Sequence, residues 1–132
     1  MKITEENYVD EAERAIQDLR KSKDKWGNST FRLTTSQIRN LLAMSSDIYN
    51  EVSRQNGDKL DSKIVSRIEY LRVRFVYECG RDTMNNSIKP FVDRADLLNM
   101  LKNIGNSKAA FVLFNRYMEA LVAFHRYYGG KD

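Results

Sequence analysis

The chain has 132 residues, of which 42% are hydrophobic and 30% are charged. This balance is typical of one globular domain and excludes an intrinsically disordered chain. Six glycines and one proline are too few for the many turns of an all-β sandwich. The net charge of +4 permits nucleic-acid binding without requiring it. Residues 31–89 hold ten Lys/Arg against seven Asp/Glu, so the excess is central and forms no basic arm.

The cellular compartment is indicated by the single cysteine and by the absence of long apolar runs. Cys79 is the only cysteine, so an internal disulfide is impossible and a reducing cytosol fits best. No apolar run approaches the ~20 residues of a membrane span, and the N-terminus lacks a signal-peptide core. We therefore expect a cytoplasmic protein that does not cross a membrane, with one domain over residues 1–132.

The first predicted helix begins near Thr4, which is a favourable N-cap residue. Glu5 and Glu6 in its opening turn interact favourably with the helix dipole. The segment 21–30 is polar, basic and contains glycine, so it is predicted to be a loop. Trp26 is a candidate to anchor this loop.

The second predicted helix runs from about Thr35 to Arg54 and has an unusually well-defined start. Thr34 as N-cap places Gln37 at N3, which makes a capping box, and Leu33 can close over Ile38 as a hydrophobic staple. These local rules account for the hydroxyl residues in the segment LTTSQIRNLL. They do not account for an arginine, Arg39, that lies off the apolar stripe of this helix.

Three further helices complete the predicted fold. The third runs from about Asp61 or Ser62 to Arg81, and Gly80 makes its end the least certain boundary. The fourth has Pro90 in its first turn and ends before Gly105. The last begins at Asn106 or Ser107 and stops at two glycines. The sequence therefore predicts an all-α, compact single-domain bundle of about five helices.

The third helix carries a line of basic and aromatic residues beside its apolar stripe. At about 100° per residue they fall within about 40° of one line, which runs about 27 Å along the helix. The line consists of Lys63, Arg67, Tyr70, Arg74, Tyr77 and Arg81. Four cations with two interleaved aromatics suit a nucleic-acid backbone. The alternative interpretation is that the basic residues lie on an ordinary solvated surface and the tyrosines lie at the rim of the core. The sequence alone favours neither interpretation.

No residue pattern indicates a reaction. His125 lies on the apolar face of the last helix and is interpreted as a hydrogen-bonded structural histidine. Cys79 lies on the core stripe of the third helix and is interpreted as an inert thiol. Asp93 and Asp96 are interpreted as helix-dipole partners. No metal-ligand or phosphate-loop spacing is present, so no metal and no cofactor are predicted.

Three segments together resemble the small subunit of type III-A CRISPR effector complexes, the Csm small-subunit family. They are LTTSQIRNLL, YLRVRFVYECGRD and RYMEALVAFHRYYGGKD, and with the start ENYVDEAERAI they span nearly the whole chain in order. The resemblance implies a compact all-α protein without enzymatic activity. It also implies that several copies stack in a short filament, beside the large catalytic subunit and the repeated backbone subunits that carry the guide.

The resemblance further implies that the basic faces meet target RNA as it pairs with guide RNA in antiviral defence. Arg39 would bind a phosphate at a helix N-terminus, with the hydroxyls of Thr35 and Ser36 nearby and backbone amides favouring the anion. Base pairing would read the sequence, while this protein responds to charge and shape. The RNA-binding candidates are Arg39, Ser36, Thr35, Lys63, Arg67, Arg74, Arg81 and Arg72.

The candidates rest on different grounds. The resemblance in the segment YLRVRFVYECGRD implies roles for Arg72 and Arg81, whereas Arg67 and Arg74 are candidates from periodicity alone. Arg72 points about 180° away from Lys63 on a helical wheel. If Arg72 contacts RNA, part of the basic line faces elsewhere, for example a neighbouring subunit.

Two alternative functions stay open at this point. The first is a helical protein-interaction module whose basic line docks on acidic protein partners rather than RNA. The second is an enzyme that uses Cys79 or His125, and it requires an exposed thiol of low pKa, which a core-stripe position argues against.

Overall fold

The computed structural model describes residues 2–20, 22–23, 29–84 and 86–132, with the backbone alone for 22–23 and 29–30. The all-α prediction is confirmed, with six helices in these ranges. They are α1 (Tyr8–Leu19), α2 (Thr35–Val52), α3 (Ser62–Arg81), α4 (Ile88–Arg94), α5 (Leu97–Lys102) and α6 (Lys108–Tyr127).

The helix α1 begins later than predicted, although Thr4 does act as a cap. The Thr4 hydroxyl oxygen accepts from the Asn7 amide at 3.2 Å, and the Asn7 side-chain oxygen accepts from the Thr4 amide at 2.7 Å. This reciprocal pair closes a turn ahead of Tyr8, where regular helix begins. The predicted loop over 21–30 contains a two-residue antiparallel pair, β1 (Ser22–Lys23) and β2 (Ser29–Thr30). Trp26 lies outside the described residues.

Local capping signals position the three long helices as predicted. The capping box of Thr34 and Gln37 is present, with both of its hydrogen bonds near 3 Å. Asp61 accepts from the Ile64 amide at 2.9 Å and starts α3, which ends at Arg81 as predicted. Ser107 accepts from the Ala110 amide at 3.1 Å and starts α6.

The predicted fourth helix is divided into α4 and α5. Asp96, between them, adopts a left-handed conformation with φ 60° and ψ 37°, which a short polar side chain tolerates better than most. The helix α4 also starts two residues before Pro90, because the Asp82 carboxylate accepts from the Ser87 and Ile88 amides at 2.8 and 2.9 Å. The backbone break at Asp96 turns one predicted helix into two short ones.

The buried apolar residues of the described ranges form one continuous core. The helix α6 lies at its centre and packs against α1 and α2, whereas α3 packs mainly against α2, α4 and α5. The largest fully buried side chains are Tyr117, Phe75, Phe91, Phe111 and Phe114. The outer faces of α2 and α3 are left to solvent. No helix in the described ranges is both long and apolar enough to cross a membrane.

Candidate nucleic-acid interface

Arg39 lies where the sequence predicted, in the second turn of α2 on its exposed side. The core-facing residues of α2 include Ile38 and Leu41, which are fully buried and flank Arg39 in sequence. The helical period therefore directs the arginine away from the core. Within the part of the chain that the structure describes, no carboxylate lies within 4.0 Å of its guanidinium.

The backbone amides at the start of α2 are occupied by the C-terminal segment of the same chain. The Thr35 amide donates to the Lys131 carbonyl at 3.0 Å. The amide and hydroxyl of Ser36 donate to the Asp132 carboxylate at 2.9 and 2.7 Å. The amides that were expected to favour a phosphate thus already donate to a backbone carbonyl and to a carboxylate, and the hydrogen bonds from Ser36 lower the pKa of Asp132.

Two glycines place this C-terminal segment. Gly129 has a φ of 103°, in the left-handed region that favours glycine. Gly130 lies so close to the imidazole of His125 that an added Cβ would come within 2.1 Å of the ring. The Gly130 amide also donates to the His125 carbonyl at 2.8 Å. The glycine pair that the sequence read as a helix stop therefore also turns the chain back onto α2.

His125 connects the end of α6 to the segment before α2. Its ring is fully buried, and its Nε2 donates to the Leu33 carbonyl at 2.7 Å. The Nδ1 atom is buried and has no hydrogen-bond partner among the described residues, and burial lowers the pKa of the imidazole. A neutral, carbonyl-bonded histidine in this position has the structural role that the sequence predicted.

Two cations of the predicted line on α3 are neutralised by neighbouring carboxylates. Arg67 forms ion pairs with Glu51 and, at 3.2 Å, with Asp47, both on α2. Arg81 pairs with Glu78 at 2.8 Å, and this interaction raises the pKa of the guanidinium. Glu78 lies three residues before Arg81 on α3 itself, and in the described ranges it forms no ion pair with Arg74. Periodicity on one helix did not show the acids that the neighbouring helix brings to it.

Glu78 was not among the predicted site residues, although its position in the sequence indicates that it is buried. Its side chain is only 4% exposed. It follows Leu71 and Phe75 at the three- and four-residue spacing of the buried stripe. A carboxylate on that stripe needs a partner, because an unpaired buried charge is costly. Asp132 gave no such signal, since it meets α2 from 96 residues away in sequence.

Lys63 and Arg74 differ from their neighbours on α3. Both are exposed, and within the described ranges neither has a carboxylate within 4.0 Å. With Arg39 they make a set of three predicted cations whose charge is not balanced by a close carboxylate. We call Arg39, Lys63 and Arg74 the unpaired cations.

The remaining candidates line three different grooves on the surface. Ser36 and Arg81 line one groove between the start of α2 and the end of α3. Arg67 and Arg74 line a second groove between the same two helices. Arg72 lines a third groove with residues of α5 and pairs with Glu69 at 3.2 Å. The structure thus brings Arg67, Arg74 and Arg81 to the α2–α3 side and separates Arg72 from them.

The two tyrosines of the line are exposed rather than part of the core rim. Tyr70 and Tyr77 are 61% and 59% exposed. Their rings are available for stacking or for hydrogen bonds from the phenol. This excludes the core-rim reading of the tyrosines, while it leaves the basic line on a solvated surface.

The residues suggested for an enzymatic alternative have the wrong surroundings for catalysis. Cys79 is partly buried, and burial is the largest cause of the raised pKa of its thiol. His125 is enclosed by the core and bonded to a carbonyl. In the described ranges no three His, Cys, Asp or Glu side chains are grouped so that they could hold a metal ion.

Comparison with known proteins identifies the family. The model of the family Csm2 Type III-A matches residues 13–131. The "CRISPR system Cms protein Csm2" of Streptococcus thermophilus is 45% identical over 130 residues, which cover 98% of both chains. The protein of the same name from Mycobacterium tuberculosis (strain CDC 1551 / Oshkosh) is 38% identical over 132 residues, covering 100% of this chain and 99% of the relative. The family-model match begins within α1 and continues past the end of α6, and the chain belongs to the Csm2 family of type III-A.

Proposed function

We propose that this chain is the non-catalytic small subunit of a type III-A CRISPR ribonucleoprotein and binds RNA there. Several copies stack along the guide–target RNA duplex and contact mainly the backbone of the target strand. The partners are further copies of itself, the large catalytic subunit and the repeated backbone subunits, in the cytoplasm. Family membership supports the assignment to this kind of complex, since the relatives carry the name of a CRISPR system protein.

The observation that carries the RNA-binding part is the set of unpaired cations. Arg39, Lys63 and Arg74 are exposed, and each has no close carboxylate in the described ranges. A guanidinium that is not already paired can donate two hydrogen bonds to a phosphate without first losing a protein partner. Arg67, Arg81 and Arg72 would have to exchange a carboxylate for the phosphate, so their contribution is smaller.

Sequence specificity is left to base pairing in this proposal. The exposed cations recognise charge and spacing, and the exposed tyrosines offer contacts that tolerate any base. Each subunit supplies only a few contacts, so stacked copies bind by summing weak interactions. The isolated chain therefore binds RNA weakly and without preference for nucleotide order.

The test measures target-RNA affinity of assembled complexes over a range of salt concentrations, with two unrelated guide–target pairs. Each phosphate contact contributes a slope of about −0.7 to −0.9 in log affinity against log salt. We expect Arg67→Glu with Arg74→Glu to weaken RNA capture equally for both pairs, at unchanged subunit stoichiometry. Unchanged RNA capture with disrupted assembly would instead support the protein-interaction alternative.

A further inference from the structure

The outer face of α3 carries apolar residues that nothing in the described part of the chain covers. Val73 and Val76 are 55% and 53% exposed, although valine is usually buried. Tyr70 and Tyr77 continue the same face at 61% and 59% exposure. Exposed apolar residues that cluster on one surface are typical of an interaction site.

A shallow groove between α3 and α5 lies beside these valines. It is lined by Arg72, Val73 and Val76 from one side, and by Leu98, Asn99 and Lys102 from the other. Lys102 places a positive charge at its edge, and Arg72 adds a second, which it shares with Glu69 in an ion pair of 3.2 Å. We call this surface the α3–α5 groove. Its chemistry suits an apolar residue surrounded by carboxylates.

The start of α1 in the same chain has that chemistry. Val9 is 46% exposed, Asp10 follows it in α1, and Glu6 lies in the turn just before the helix; both carboxylates are exposed. Neither carboxylate has a cation within 4.0 Å in the described ranges. We call Glu6, Val9 and Asp10 the α1 acidic surface.

The two surfaces lie on different parts of the molecule. The helix α1 packs mainly against α6 and α4, and α3 packs mainly against α2, α5 and α4. One copy can therefore offer its α1 acidic surface to a second copy while its own α3–α5 groove receives a third. Such head-to-tail contacts build rows rather than closed pairs.

We infer that copies of this chain join head to tail, with the α1 acidic surface of one copy seated in the α3–α5 groove of the next. The inference rests on the proposed stacking of copies and names the surfaces that make it. A symmetric contact between two α3–α5 grooves is disfavoured, because it would bring Arg72 and Lys102 of both copies together. Arg72 then belongs to the subunit contact, while the unpaired cations on α2 and α3 stay open to RNA.

Cross-linking in the assembled complex tests the contact. The chain is made with Cys79→Ser, which removes its only cysteine, together with Val9→Cys and Val76→Cys, both at exposed positions. A short bis-maleimide should then give a ladder of linked dimers, trimers and larger species on a denaturing gel. Either cysteine alone should give no ladder. The matched control pairs Val9→Cys with Met84→Cys, since Met84 is 95% exposed and lies outside the groove.

Several outcomes would overturn the inference. They are the absence of a ladder in complexes of normal composition, dimers formed by Val76→Cys alone, and an equal ladder from the Met84→Cys control. Target-RNA affinity is measured on the same preparations. Complexes that hold several copies and bind RNA, but show no ladder, would contradict the inference and leave the proposed function intact. Complexes without RNA binding would contradict the proposed function.

Charge exchange provides a second test that does not depend on cysteines. Arg72→Glu with Lys102→Glu should lower the number of copies per complex, and Glu6→Lys with Asp10→Lys should do the same. All four changes in one chain should restore the copy number, because the attraction is then re-established with opposite signs. A normal copy number in either two-residue variant, or no recovery in the four-residue variant, would contradict the contact.

Discussion

Arg67 and Arg74 are separated by two turns of the same helix and line the same groove, yet their surroundings differ. Arg67 is held by Glu51 and Asp47 of α2, whereas Arg74 has no carboxylate within 4.0 Å in the described ranges. Spacing along one helix shows the direction of a side chain. It does not show whether the charge is already balanced, because the balancing acids come from another helix.

The largest expected effect is for Arg39, which has no carboxylate within 4.0 Å in the described ranges. Arg39→Ala in every copy should lower the target-RNA affinity of the complex strongly, since the lost contact recurs along the RNA. The salt slope should fall by about 0.7 to 0.9 for each contact removed. Thermal stability should hardly change, because exposed charges contribute about 0 to 1 kcal/mol to folding. Normal affinity with normal stoichiometry would remove Arg39 from the interface.

Arg74→Ala and Arg81→Ala form a matched pair that distinguishes an effect on RNA affinity from an effect on folding stability. Arg74→Ala should weaken RNA binding and leave the melting temperature unchanged. Arg81→Ala should lower the melting temperature by a few degrees, because it leaves the buried Glu78 carboxylate without its partner. Its effect on RNA affinity should be smaller than that of Arg74→Ala. Calorimetry and RNA binding on the same samples measure both quantities, and the reverse ranking would contradict the comparison.

Local signals explain which parts of the fold could be predicted from sequence. The starts of α2, α3 and α6 depend on side chains within three residues of Thr34, Asp61 and Ser107, and all three were placed correctly. The break at Asp96 was missed, because a left-handed aspartate carries no sequence mark comparable to a glycine or proline. The apolar residues on both sides of it continue one helical pattern.

The candidate site was harder to predict from the sequence than the fold, because it depends more on contacts between distant segments. The exposure of Arg39 followed from the helical period and was predicted. The pairing of Arg67 with Glu51 and Asp47 depends on how α2 and α3 lie against each other, which periodicity does not fix. The position of Asp132 depends on Gly130 fitting against a buried histidine ring. Such contacts become visible only once the helices are packed.

Removing the two carboxylates that pair with Arg67 tests whether this pairing is what distinguishes Arg67 from Arg74. Asp47→Asn with Glu51→Gln removes both carboxylates from Arg67 and keeps the shapes of their side chains. The freed guanidinium should raise the RNA affinity of the complex several-fold and increase the salt slope by about 0.7 to 0.9 per contact. Stability should change little, since both acids are exposed. The same two changes combined with Arg67→Ala serve as the control and should lose most of the gain, because Arg67 is then absent.

The smallest expected effect concerns the Asp132 carboxylate at the start of α2. Its pKa is lowered by hydrogen bonds from Ser36, so it stays charged from neutral pH down to pH values below its ordinary range near 4. The hydrogen bonds from Ser36 to Asp132 stabilise the folded chain fully at pH values above the ordinary aspartate pKa. This stabilisation is lost as the pH falls through the lowered pKa of the folded state. At neutral pH this charge attracts Arg39 from beyond 4.0 Å and opposes an approaching phosphate.

Asp132→Asn keeps an oxygen that can accept from Ser36 and removes the negative charge. We expect RNA affinity of the complex to rise modestly, about two- to threefold, since surface charges interact weakly in water. Glu119→Gln is the control, because it makes the same change of charge at an exposed residue of α6. A rise with Asp132→Asn and none with Glu119→Gln would place the RNA backbone beside Ser36 and Arg39. A fall in affinity would mean that the C-terminal segment holds the start of α2 in its binding conformation, and that the Asp132 charge is part of that support.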